Sequence, residues 1–164
     1  MTASWRAMTV ADIPVVNAIA DRVHVDYPED EAVLAERQRL YPAGCLILEM
    51  DGEPMGYALT HPWHYLQPPA LNVALGALPD APSTYYVHDV AMLPEARGAR
   101  AGSAAVRAIV DHATASGMSN VSLVAIKGSE GFWSRHGFET VSDPQLDKKL
   151  KSYDEAARYM VRRL

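Results

Sequence analysis

The sequence predicts an α/β chain built around a mixed sheet. Apolar residues recur at helical spacing through the first forty positions, short apolar runs separated by turn residues begin at Cys45, and a strand–helix–strand unit spans 85–126. That alternation packs helices against a sheet. The 85–126 unit implies a right-handed parallel crossover.

Each element has its own signal. Ile13, Val16, Ile19 and Ala20 follow the helical period, Thr9 is placed to cap them and Asp12 sits in the first turn, so a helix is expected over 9–22. Tyr27, Pro28, Glu29 and Asp30 break the chain. Val33, Leu34, Arg37 and Leu40 predict a second helix over 30–40, ended by Pro42 and Gly44. Residues 45–50 and 55–60 are apolar runs joined by Asp51, Gly52, Glu53 and Pro54, and Asp-Gly between such runs predicts a hairpin. Residues 61–83 hold five prolines and read as a long irregular segment of the kind used as a binding lid, with a short helix within 70–78. Tyr85, Tyr86, Val87 and Val90 predict a strand over 85–92. Ala105, Ile109, Val110 and Ala113 give one apolar face to a helix over 99–116, closed by Gly117. A strand over 120–126, a short helix over 129–136 stopped by Gly137, and strands over 138–141 and 159–164 complete the pattern. The charged stretch 143–156 reads as a surface loop.

The 164 residues suit a single domain over 1–164. The chain is 49% hydrophobic and 21% charged, the mix of a soluble globular protein. No apolar run approaches the roughly 20 residues of a membrane helix, and the first residues carry no signal-peptide pattern, so a cytoplasmic location is expected. The net charge of -5 argues against nucleic acid as the main partner, because phosphate binding needs clustered Lys and Arg. It suits a cationic or amine substrate. The one cysteine, Cys45, excludes an internal disulfide and a Cys-rich metal site, and its strand setting reads as a buried thiol. His61 and His64 lack a visible third ligand, so no metal is expected. His24 and His112 read as solvent-facing helix residues.

The chemistry concentrates between His88 and Ser103. A buried strand ends at Met92, a turn through Leu93, Pro94, Glu95 and Ala96 follows, and Gly98, Ala99, Ala101 and Gly102 leave the start of the next helix uncluttered. The first turn of a helix offers free backbone N–H groups and the positive end of its dipole. With Arg97 and Arg100 adding charge, such a start suits an anion, above all a pyrophosphate. The segment is neither a Walker loop nor a dinucleotide fingerprint, because the Lys-Ser/Thr pair and the glycine spacing are both missing.

Arg97, Gly98, Ala99, Arg100, Ala101 and Gly102 after a strand, followed about forty residues on from that strand by Phe132, Trp133, Ser134, Arg135, His136, Gly137 and Phe138, resemble the two motifs of the GNAT N-acetyltransferases. The element order agrees from residue 9 to 164. The resemblance implies a GNAT-like fold with a splayed central sheet and acyl-CoA held between strands 85–92 and 120–126. Backbone groups of Val90, Ala91 and Met92 would pair with the pantetheine arm, and N–H groups from Arg97 to Ser103 would hold the pyrophosphate. Acetyl-CoA is then the cosubstrate, Trp133 lies beside it, and an acceptor amine attacks the thioester directly without a metal. Two positions depart from the pattern. Arg100 stands where the family has a glycine, in a helical setting that does not demand one, and Trp133 stands where it has the tyrosine general acid. An indole N–H cannot protonate a thiolate. Either Ser134, His136 or a Tyr of the 85–86 pair substitutes, or the thiolate leaves with help from water and positive dipoles.

Direct attack needs a neutral amine and therefore a base. Asp89 and His88 are the candidates, on opposite faces of the strand by its alternation, so one of them faces the acceptor. Asp89 has a second reading as a residue that holds the splayed strands. His61, Trp63, His64 and Tyr65 either line the acceptor pocket or pack onto the sheet. A CoA-binding module without turnover, and a fold that binds nothing, are the alternatives to an enzyme. Exposed edge strands, such as the C-terminal one, suit a homodimer.

Overall fold

The structure is a computed structural model and describes residues 3–98, 100–126, 128–151 and 154–164. Its elements are β1 (Ala3–Ala7), α1 (Ile13–Val23), α2 (Glu31–Leu40), β2 (Cys45–Met50), β3 (Glu53–Trp63), β4 (Thr84–Met92), α3 (Ala101–Ala115), β5 (Asn120–Ala125), α4 (Glu130–Arg135), β6 (Glu139–Thr140), α5 (Pro144–Lys151) and β7 (Arg158–Arg163). The seven strands form one mixed sheet in the order β1-β2-β3-β4-β5-β7-β6. Among the described residues, only β4 and β5 pair in parallel. The α/β expectation and the crossover through α3 are met.

Two apolar layers sandwich the sheet. On one face Ile13, Val16, Ile19 and Leu34 from α1 and α2 pack on Tyr57, Leu59 and Ala91. On the other, Val106, Ile109 and Ala113 of α3 pack on Tyr85, Val87, Val121 and Leu123, joined by Trp133 and Phe138. Asp12 fixes the entry to α1. It accepts the Thr9 backbone N–H at 2.7 Å and both Arg6 guanidinium nitrogens at 2.8 and 2.9 Å, and the Arg6 bonds hold its carboxyl far below the usual range.

Several sequence expectations change. Strand β1 carried no clear apolar alternation, because it is a half-buried edge. Strand β3 runs on to Trp63, so His61 and Trp63 lie on a strand and not in a loop. Beyond Leu59 only β4 pairs with it, which leaves a free side where Pro62 is tolerated. No helix forms in 70–78. Asn72 and Gly76 have positive φ, and the N–H groups of Asn72, Leu75 and Gly76 are taken by the carboxylates of Glu29 and Glu36. The expected loop 143–156 contains α5, whose start is tied by Asp143 Oδ2 accepting the Leu146 N–H and whose Leu146 and Leu150 are buried one turn apart; Ser152 and Tyr153 lie outside the described residues. The C-terminal strand is not an edge, since β7 pairs with β5 and β6 on its two sides. The edges are β1 and β6.

Candidate active site

The parallel ladder between β4 and β5 is short. It joins Tyr85, Tyr86 and Val87 to Val121, Ser122 and Leu123 and stops there. The reason lies on the other side of β4. Leu59 of β3 faces Asp89 and Thr60 faces Val87, so His88 is an extra residue with no partner. A bulge of this kind bends a strand and increases its twist. It falls at the residue after the last parallel pair. From there β4 follows β3 while β5 follows β7, and the two part.

The parting opens a cleft of about 820 Å³. One wall is β4 from Tyr86 to Met92, the other Leu123, Val124 and Ile126 at the end of β5. Arg97, Gly98 and Arg100 to Ser103 at the start of α3 close one end, together with Phe132 and Trp133 of α4. Val23, His24, Tyr27, Glu29, Pro69, Leu71 and Asp154 surround the other end. The structure thus brings together His88, Asp89, Val90, Ala91, Met92, Arg97, Gly98, Arg100, Ala101, Gly102, Ser103 and Trp133; Ala99 lies outside the described residues.

The two sequence motifs meet physically at Gly102. A Cβ there would stand 2.9 and 3.1 Å from ring atoms of Phe132 and 3.3 Å from Met92 Cε. The glycine is needed for this close approach. Phe132 is in turn held edge-on to Trp133 and against His136, with centroids 5.0 and 4.5 Å apart. Trp133 also packs on Phe138 and is buried. Arg100 departs from the helical setting expected for it. It is the residue before α3, with φ 60° and ψ 15°, a left-handed conformation that favours glycine. Its side chain is exposed.

The other end of the cleft is polar. His88 and Asp89 do not point to opposite faces, because the bulge breaks the alternation, and both reach the connection between α1 and α2. His88 Nε2 meets Glu29 Oε1 at 2.8 Å. Asp89 Oδ1 meets His24 Nε2 at 2.7 Å, and Asp89 Oδ2 accepts the Tyr57 hydroxyl. Burial pulls the His24 imidazolium down, but the hydrogen bond and charge of Asp89 outweigh it, so His24 titrates above its ordinary value. Burial pushes the Glu29 carboxyl up, but His88, the Asn72 N–H and Arg37 hold it below the ordinary value. The Tyr27 hydroxyl donates to Asp154 Oδ2 at 2.5 Å, and that bond together with burial pushes the phenol up to about 12.

Other candidates fall elsewhere. His24 is not solvent-facing, as its bond to Asp89 shows, and neither is His112, which meets the Tyr41 hydroxyl at 2.7 Å and packs against Tyr85. His61 is buried against Tyr86, where burial lowers its pKa to about 3. Trp63 and His64 pack on each other and Tyr65 packs on Tyr159, and none of these four lines the cleft. Tyr85 faces α3 with its hydroxyl 2.6 Å from Thr60 Oγ1, while Tyr86 lines the cleft. His136 Nε2 meets Ser103 Oγ at 3.0 Å. Cys45 is buried, and burial pushes its thiol up to about 12. No site role was expected from the sequence for His24, Tyr27, Glu29 or Tyr57. One signal was available: an Asp and a Tyr inside neighbouring apolar strands each need a polar partner. Among the described residues, no group of three or more His, Cys, Asp or Glu could hold a metal ion, and no helix is long and apolar enough to cross a membrane.

Residues 14–138 match the family model described as Acetyltransferase (GNAT) family. Solved structures share the fold. Ard1 from Thermoplasma volcanium is 17% identical with a TM-score of 0.76, covering 100% of this chain and 99% of that one. The ribosomal-protein-S18-alanine N-acetyltransferase from Escherichia coli is 16% identical with a TM-score of 0.70, covering 99% and 94%. GphF, a GNAT-like decarboxylase in complex with isobutyryl-CoA, is 16% identical with a TM-score of 0.81, covering 98% of each chain. A comparison with curated protein sequences returns no match.

Proposed function

The chain belongs to the GNAT acetyltransferase family, and on that premise we propose that it is one cytoplasmic acetyltransferase domain over 1–164 that moves the acetyl group of acetyl-CoA to the amine of a small molecule or peptide by direct attack. The cleft where β4 leaves β5, ending on the open first turn of α3, carries this reading. The freed edge of β4 at Val90, Ala91 and Met92 suits the amide-bearing pantetheine arm as an added strand. Backbone N–H groups of Gly98, Arg100, Ala101, Gly102 and Ser103 suit the pyrophosphate, with the positive end of the α3 dipole behind them and the Arg97 side chain adding charge, since the Arg97 N–H is taken by Pro94 O. Phe132 and Trp133 supply an apolar wall. No metal enters the reaction.

Asp89 and His88 stand at the polar end of the cleft, and the pairs that they form with His24 and Glu29 contain the group that receives the acceptor's proton. The carboxylates of Asp89, Glu29 and Asp154 at that end favour a cationic amine over an anionic group. GphF is a GNAT-like decarboxylase, and a decarboxylation here would bring a carboxylated acyl group against this like charge; the amine acceptor fits better. CoA leaves as a thiolate, a stable enough leaving group for water to protonate.

Thiol release from acetyl-CoA, screened over polyamines, amino acids, aminoglycosides and peptides, tests the reading. At least one amine should give turnover, and Asp89→Asn should cut it while acetyl-CoA still raises the melting temperature. Trp133 in the place of the family's tyrosine favours one rival, a module that binds acyl-CoA without turnover. Stabilisation by acetyl-CoA with no thiol release from any amine would select that rival.

A further inference from the structure

We infer that His24 is the general base of the transfer, held in its tautomer by Asp89, whose other oxygen is fixed by Tyr57; this rests on the acetyltransferase reading. His24 is the residue that ends α1, with its backbone N–H on Ala20 O and its carbonyl accepting the Tyr27 N–H. Its ring lines the cleft and keeps some exposure. Asp89 has both oxygens engaged, one on His24 Nε2 and one on the Tyr57 hydroxyl. A carboxylate that already accepts two hydrogen bonds is a poor acceptor for the proton of an incoming amine. Being acceptor-only, it requires a proton on His24 Nε2, and this leaves Nδ1 as the basic nitrogen. A base oriented by a third group through its far nitrogen is the arrangement that activates nucleophiles elsewhere.

The other histidines do not match it. His88 and Glu29 are more deeply buried, with 5% and 7% of their side chains exposed against 17% and 13% for His24 and Asp89. The second oxygen of Glu29 holds the Asn72 N–H at 3.0 Å. That pair clasps the 61–83 segment beside the cleft. His136 has both nitrogens committed, Nδ1 to Phe132 O and Nε2 to Ser103 Oγ. His61 does not line the cleft.

The step balances as follows. Nδ1 of neutral His24 takes a proton from the acceptor ammonium, directly or through a water. The amine nitrogen then forms a bond to the thioester carbonyl carbon, the C–S bond breaks, and CoA departs as thiolate. The amide nitrogen loses its second proton, which ends on the thiolate through solvent. With Tyr57 bonded to Asp89, His88 to Glu29 and Asp154 to the neighbouring Tyr27, the charged groups that act on His24 are Asp89 from the sheet and Glu29 from the loop. They set the pH at which the base becomes free.

The test is the pH profile of thiol release. Log kcat/KM of the wild type should rise with unit slope up to the pKa of His24, above 6.5, and then level. His24→Gln should lose that limb and about 10²–10⁴-fold in kcat, with stabilisation by acetyl-CoA unchanged and partial rescue by added imidazole. Asp89→Asn should move the limb to lower pH, because the charge of Asp89 raises the pKa of His24. His24→Gln with the wild-type limb and rate would overturn the assignment alone. No thiol release from the wild type with any amine would remove the transferase reading and this one with it. A readout without a variant is the nitrogen-15 spectrum of the histidines. Neutral His24 should carry its proton on Nε2, and a proton on Nδ1 would refute the orientation.

Discussion

Substituting Gly102 by alanine would force the two motif segments apart. The new Cβ would lie 2.9 Å from Phe132 Cε1, and ordinary contact begins at 3.4 Å, so the ring must retreat by about 0.5 Å. It has little room, since Trp133 and His136 flank it. Overpacking of this kind costs about 1–3 kcal/mol. Alanine's better helix propensity offsets up to about 1 kcal/mol, and less in a first turn. The net loss is about 1–2 kcal/mol, or a fall of roughly 2–8 °C in melting temperature for a chain of this size. The displaced ring also enters the cleft, so acetyl-CoA should bind roughly tenfold more weakly, about 1.4 kcal/mol. Differential scanning fluorimetry with and without acetyl-CoA reads both effects. A variant melting within about 1 °C of the wild type, with equal stabilisation by acetyl-CoA, would refute the claim that Gly102 is small because Phe132 packs on it.

Arg100→Gly should act in the opposite direction. It relieves a left-handed conformation worth about 1–2 kcal/mol and gives back part of that through the greater freedom of unfolded glycine, so the urea midpoint should rise by the equivalent of roughly 0.5–1 kcal/mol. Stability should also vary with pH at the two His–carboxylate pairs. His24 has a raised pKa in the folded protein, so its contribution is complete below 6.5 and is lost as pH rises through the raised value. The difference in unfolding free energy between the wild type and His24→Gln should therefore shrink toward alkaline pH. Glu29 has a depressed pKa, so its contribution is present above 4.5 and is lost as pH falls through the depressed value. Urea titrations of Glu29→Gln against the wild type on the acid side would show a difference that fades as pH drops.

The elements with strong local periodicity were legible. The apolar spacing of α1 and α3, the Asp51–Gly52 hairpin and the strands at 45, 85 and 120 follow from side-chain pattern and turn chemistry. The elements that escaped depend on partners distant in sequence. Strand β1 exists because β2 offers it an edge. Residues 70–78 are not helical because Glu29 and Glu36, some forty positions earlier, take their N–H groups. Helix α5 had a readable start in Asp143 and Pro144 and was hidden by the charge around it.

The cleft shows the same division. The small residues from Arg97 to Ser103, and the second motif around Phe132, could be recognised because an anion-binding helix start is a local property of a few consecutive residues. By itself the sequence determined an α/β fold with an open α3 start and placed Asp89 and His88 on the strand before it. Tertiary structure alone decided what those two residues touch. The bulge at His88 comes from the register between β3 and β4, and a one-residue slip in register turns side chains to the other face. That slip aims His88 and Asp89 at the same loop, brings His24 and Glu29 to them, and opens β4 from β5. No run of neighbouring residues encodes it, because it is set by how two strands meet.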